Sequence, residues 1–231
     1  MKKKDDSKTA APLGKIEKPE AERFTGKKKL CLVPLIFSGK EAPADYAVKY
    51  KLYWEQADQH IASLEAKLGR VSHVYHESTV QAGEDGFKAL DKLSPVSGRI
   101  ARDKCRNGAL FEATEDKELV EESIDWERCL LMGFISQKAA RTVSEFYVAA
   151  LRKRYGHIAQ VINETLKDNE VGVLFIREGH LVQFPQDIEV FSVSPPALDE
   201  IHRWQRDRAA AEEKEKPQNE SATPETGISG D

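Results

Sequence analysis

The densest run of side chains able to do chemistry is His73, Tyr75, His76, Glu77, Ser78 and Thr79, within Val71–Val80. On a strand, alternation puts His73, Tyr75 and Glu77 on one face and Val74, His76 and Ser78 on the other. An imidazole beside a carboxylate can relay protons or hold a metal. His76 and Glu77 form the candidate catalytic pair, because they fall near the strand's carboxyl end, where open α/β sheets take ligands. Adjacent residues on opposite faces converge on one atom only with difficulty, so the plainer reading is a pair of half-exposed strand residues. No HxxxH or HExxH spacing occurs anywhere in the chain, and no metal site is expected.

A second cluster is Arg99, Arg102, Lys104 and Arg106, broken only by Asp103. On a helix, Arg99, Arg102 and Arg106 share a face at spacings of three and four. Guanidinium groups suit phosphate or carboxylate bidentately, which makes these three the candidate anion-binding residues. The competing reading is salt bridging to the acidic Glu112–Glu122 stretch that follows. Arg152-Lys-Arg-Tyr155 is a third basic patch, expected at an exposed turn. Ser38-Gly39-Lys40 lacks the rest of a phosphate-binding P-loop, and neither Gly-x-Gly-x-x-Gly nor Gly-x-Ser-x-Gly is present. No cofactor is expected.

These residues need a scaffold, and the chain reads as one. Leu30–Phe37 is a first strand, with Pro34 arguing for an edge position or a bulge. A helix runs from after Pro43 to Leu68, striped by Tyr46, Tyr50, Tyr53 or Trp54, Ala57, Ile61 and Leu64, with Gly69 closing it. Val71–Val80 is the second strand, in a parallel β–α–β unit with the first. Gly83–Leu93 is a short helix, and Ser94–Gly108 begins as a loop and can end as a short helix capped by Gly108. Ala109–Thr114 fits a strand or a helix lead-in, and Asp116–Ser123 an exposed acidic helix. Ile135, Ala139, Val143, Phe146, Ala150, Ile158, Val161, Ile162 and Leu166 make one long helical stripe, which Gly156 is placed to break or kink. Val171–Ile176 reads as a buried strand. Glu178-Gly179 turns the chain into a further strand, His180–Phe184, followed by Glu189–Val193 and a last helix, Ala197–Arg208. The expectation is a single α/β domain: a mixed, mostly parallel sheet packed by helices, one of them long.

The ends differ from this middle. Residues 1–29 hold ten Lys/Arg against five acids, and residues 209–231 hold two against six. Neither end can bury enough apolar surface to offset chain entropy. The expected organisation is a disordered basic arm over 1–29, a domain over 30–208 and a disordered acidic tail over 209–231. The domain itself is net acidic, which argues against a large nucleic-acid footprint. RNA or ribosome contact is expected, if anywhere, through the basic arm. Three scattered cysteines without a CxxC, and no apolar run near the ~20 residues a bilayer requires, point to a cytoplasmic protein without a membrane partner.

Gly156-His-Ile-Ala-Gln-Val-Ile-Asn-Glu-Thr-Leu-Lys-Asp-Asn-Glu-Val-Gly-Val-Leu-Phe-Ile176 resembles the carboxy-terminal domain of the release factor and pelota proteins, in a helix ending near "ETL", a short turn and an apolar strand. The likeness covers about a tenth of the chain. That family's glycine-rich final strand and Gly-Gly-Gln motif are both missing here. The resemblance implies a translation-associated binding module and carries over no catalytic residue.

With no complete catalytic constellation, the sequence points first to a non-enzymatic interaction or regulatory module with a protein partner. The alternatives are an enzyme acting on a phosphorylated or carboxylate small molecule, and an RNA-binding protein of translation.

Overall fold

Among the described residues five strands, all parallel, lie in the order β3-β2-β4-β1-β5. They are β1 (Lys28–Pro34), β2 (Val71–His76), β3 (Leu110–Phe111), β4 (Val171–Ile176) and β5 (Ile188–Ser192). The computed structural model describes residues 25–39 and 41–215. The segment 1–24, with its Lys2–Lys4 cluster, and the tail from 216 lie outside the described residues, as does Lys40.

β1 is followed by α1 (Ala44–Leu68), β2 by α2 (Gly83–Leu93) and α3 (Pro95–Arg106), and β3 by α4 (Lys117–Leu131) and α5 (Gln137–Thr165). β4 reaches β5 without a helix, and α6 (Pro196–Glu215) closes the chain. Alternating strand side chains sort the core into two layers. Cys31, Val33, Val74, Val173 and Phe175 face α1, α2, α3 and α6, where Tyr53, Trp54, Phe87, Ile100 and Ile201 cover them. Leu30, Tyr75, Leu174 and Ile176 face the other way, under Tyr155, Ile158, Ile162 and Leu166 of α5. β4 is buried at every position, as its continuous apolar run implies for a strand covered on both faces.

Gly172 is a place in β4 where a side chain would be crowded. A Cβ there would lie 3.0 Å from the Tyr75 ring and 3.1 Å from Leu30. The Tyr75 hydroxyl meets Thr165 Oγ1 on α5 at 2.7 Å.

Several expectations need correcting. His180–Phe184 is not a strand, and the sheet is wholly parallel rather than mixed. β4 already has β2 on one side and β1 on the other, so no edge is open to an antiparallel hairpin. Val182 and Phe184 pack onto the α5-side core instead. β1 is interior, and Pro34 is its last residue, where the ladder ends. The strand starts earlier than expected, at Lys28. Lys29 is buried, with its ammonium donating to Leu68 O at 3.1 Å, so these two lysines belong to the domain rather than to the arm. α3 begins at Pro95, in the first-turn position proline tolerates. Helix α5 runs through Gly156 without a break, because buried Tyr155, Ile158 and Ile162 carry the stripe past it. α6 continues beyond Arg208 to Glu215. Among the described residues no helix is long and apolar enough to cross a membrane.

Candidate functional site

At the carboxyl end of β2 the chain places His76 and then Glu77, and both are buried, at 0% and 2% exposure. The Ser78 N–H donates to His76 Nδ1 at 3.1 Å. A backbone N–H can only donate, so Nδ1 is the bare nitrogen and Nε2 carries the proton. Nε2 meets Ser97 Oγ of α3 at 2.9 Å, and Ser97 Oγ lies 2.7 Å from Ser94 Oγ. The ring stacks on Phe175. Removed from water, the imidazole has its pKa pushed down to about 3. His76 is a neutral, fully partnered bridge between β2 and the start of α3.

Glu77 turns into a different set of partners. Its Oε2 accepts the Arg177 N–H at 2.7 Å, and its Oε1 accepts from Arg177 Nε and, at 3.4 Å, from Arg154 Nη2. Arg154, on α5, also grips Glu115 in the linker after β3. Nε donates to Glu115 Oε2 at 2.8 Å, and Nη2 donates to Glu115 Oε1. Nη1 reaches Ser123 Oγ of α4 at 3.4 Å. Two carboxylates meet two guanidinium groups, so the cluster is charge-balanced from within. Burial pushes the Glu115 carboxyl above its usual range, against the pull of Arg154.

The expected sites therefore do not converge. The hydrogen bonds of His76 and Glu77 run to separate partner sets on opposite sides of the strand end. Arg102 is held by Glu84 and by Asp91 at 3.0 Å, and its guanidinium lies over the Phe87 ring. Arg106 pairs with Asp103 within α3. The carboxylates these two meet come from α2 and α3, not from the Glu112–Glu122 stretch. Arg99 is exposed. Beside the cluster, a cavity of about 240 Å³ is lined by Pro34, Ile176, Arg177, Glu178, His180 and Ser194. Its charges are also occupied: Arg177 by Glu77, and Glu178 by His202 at 2.7 Å. Among the described residues no group of three or more His, Cys, Asp or Glu is arranged to hold a metal.

Arg154 was expected in an exposed basic turn, and it is 5% exposed. The signal for its burial is Ala150, Arg154, Ile158 and Ile162: four positions of a buried stripe with one charge inside it.

Beyond Arg154 the molecule changes character. Helices α4 and α5 run on as a two-helix arm in which no residue from Ile124 to Ala149 is buried. Trp126 stacks on Phe146 across it, with centroids 5.0 Å apart. The tip is apolar and open: Leu131 is 82% exposed, Met132 86%, Phe134 38%, and Ile135 fully. Gly133, at φ +74°, makes the turn, and Ser136 caps α5 by accepting the Ala139 N–H. The run Leu130–Ile135 contains no charge, so its periodicity merges with that of the flanking helices and hides the protrusion.

Comparison with protein-family models, with curated proteins and with solved structures finds no match.

Proposed function

We propose that this chain is a non-enzymatic interaction module that docks a protein partner through the α4–α5 arm. The observation that carries the reading is the arm's tip, where Leu131, Met132 and Ile135 stand in solvent with nothing among the described residues over them. Large apolar side chains grouped on a protruding element mark an interaction site. The region where an open α/β sheet usually takes its ligand is filled by the Glu77–Arg154–Glu115 cluster, which supports association over catalysis. The three cysteines are all free, which supports a reducing compartment such as the cytoplasm.

The test compares the whole chain with a Leu131→Asp/Ile135→Asp variant in capture from the native cell, each with and without RNase. The reading expects a defined protein retained by the wild type after RNase and lost from the variant. Retention by both, or loss on RNase treatment alone, would overturn it.

A further inference from the structure

One face of α5 stays exposed from Lys138 to Gly156. Lys138, Arg141, Val148, Arg152, Gly156 and Ala159 fall at spacings of three, four and seven, so they form one stripe. Buried Ala150, Arg154 and Ile158 occupy the opposite face. At 1.5 Å per residue the stripe is about 32 Å long. Lys138, Arg141 and Arg152 have no ion-pair partner among the described residues, and Glu145 is the single acid between Lys138 and Ala159.

Where the stripe meets the domain it opens into a cavity of about 780 Å³, lined by Arg152, Gly156 and Ala159 of α5 and by Leu181, Val182 and Gln183. On the α5 wall Gly156 leaves room, since a Cβ there would meet nothing within 4 Å. On the other wall Leu181 is 51% exposed. The backbone of residues 181–183 makes no hydrogen bond among the described residues. Those N–H and C=O groups are free to pair with an extended chain laid beside them.

We propose, building on the docking role assigned to the arm, that this stripe receives an acidic, extended segment of the partner protein. Its carboxylates meet Lys138, Arg141 and Arg152, and its apolar side chains cover Val148 and enter the cavity beside Leu181. A segment of about ten residues spans the stripe. The surface favours a polypeptide over other polyanions. A nucleic acid has no apolar side chain to offer Val148 and Leu181, and it would set phosphates against Glu145. A bilayer is flat on the scale of the arm and cannot enter the cavity at its root. The unpaired main chain of residues 181–183 also suits a polypeptide.

The probe is a displayed library of random peptides, each about twelve residues long and so able to span the stripe, selected on the whole chain. Peptides carrying Asp or Glu among apolar residues should be enriched. Fluorescence polarisation then measures an enriched peptide against each variant. Arg141→Glu/Arg152→Glu should weaken it at least about tenfold by setting like charge on like. Gly156→Leu, which fills the cavity without changing a charge, should weaken it as well. These positions are exposed, and circular dichroism checks that each variant folds. No enrichment, or enrichment without acidic residues, overturns the proposal. So does equal binding to wild type and the charge-reversed variant, the result that contact with lysine-rich residues 1–29 would give. Unchanged binding to Gly156→Leu overturns the cavity as part of the site. Tighter binding of an oligouridylate or of phosphatidylserine vesicles, lost in the charge-reversed variant, overturns the polypeptide as occupant. Failure of the peptide test while native capture is still lost from Leu131→Asp/Ile135→Asp overturns only the acidic segment. Capture unaffected by those two substitutions overturns the docking role itself.

Discussion

Arg154 donates through Nε to Glu115 Oε2 at 2.8 Å, and the two are 5% and 4% exposed. The contact joins α5 to the linker that leads into α4, at the level where buried residues end and the arm begins. Arg154 also reaches Glu77 at the end of β2 and Ser123 inside α4. A single guanidinium thus fastens the root of the arm to the carboxyl edge of the sheet.

Removing that guanidinium leaves the buried Glu115 carboxylate without its ion-pair partner, while Glu77 keeps Arg177. Arg154→Met should cost about 3–5 kcal/mol, the range for breaking a buried ion pair from one side. Arg102→Ala, which frees exposed Glu84 and Asp91, should cost no more than about 1 kcal/mol. Urea denaturation of both variants checks the contrast, and equal losses would contradict the assignment of Arg154 as the anchor.

His76 should give the fold a recognisable acid sensitivity. Its folded pKa is pushed to about 3 from an ordinary 6.5 by burial. Between those values the unfolded chain holds a proton that the folded chain lacks, so stability falls as the pH falls. The contribution is whole above about 6.5 and is lost progressively toward 3, on the order of 5 kcal/mol across the window. In His76→Gln the loss between pH 7 and pH 4.5 should be smaller than in the wild type. Parallel pH profiles of the two chains would refute the account.

Gly156 and Gly172 should respond in opposite directions. Nothing lies within 4 Å of a Cβ at Gly156, so Gly156→Ala should stabilise the chain by about 0.5–1 kcal/mol through helix propensity alone. Gly172→Val would press on Tyr75 and Leu30 and should cost about 1–3 kcal/mol. Thermal melts of both variants read the signs.

Much of this frame was legible in the residues. The stripe of α1, the apolar run of β4 and the Gly69 stop follow from periodicity and glycine chemistry, and all three stand in the structure. The His180–Phe184 strand did not form, because strand propensity carries no information about whether a neighbouring edge is open. The Glu77–Arg154 contact joins residues 77 positions apart, and only the topology brings them together. His76 and Glu77 were legible as unusual residues, but their burial depends on α3 and α5 closing over the end of β2. The arm was the hardest to see. An apolar stripe looks the same in sequence whether it packs on a sheet or projects into solvent.

The most direct test of the docking role is photo-crosslinking in the native cell from a reactive amino acid placed at Met132, compared with the same residue at exposed Lys92 of α2. The account predicts discrete protein adducts from position 132 and none from position 92. No adduct from 132, or the same adducts from both positions, would contradict it.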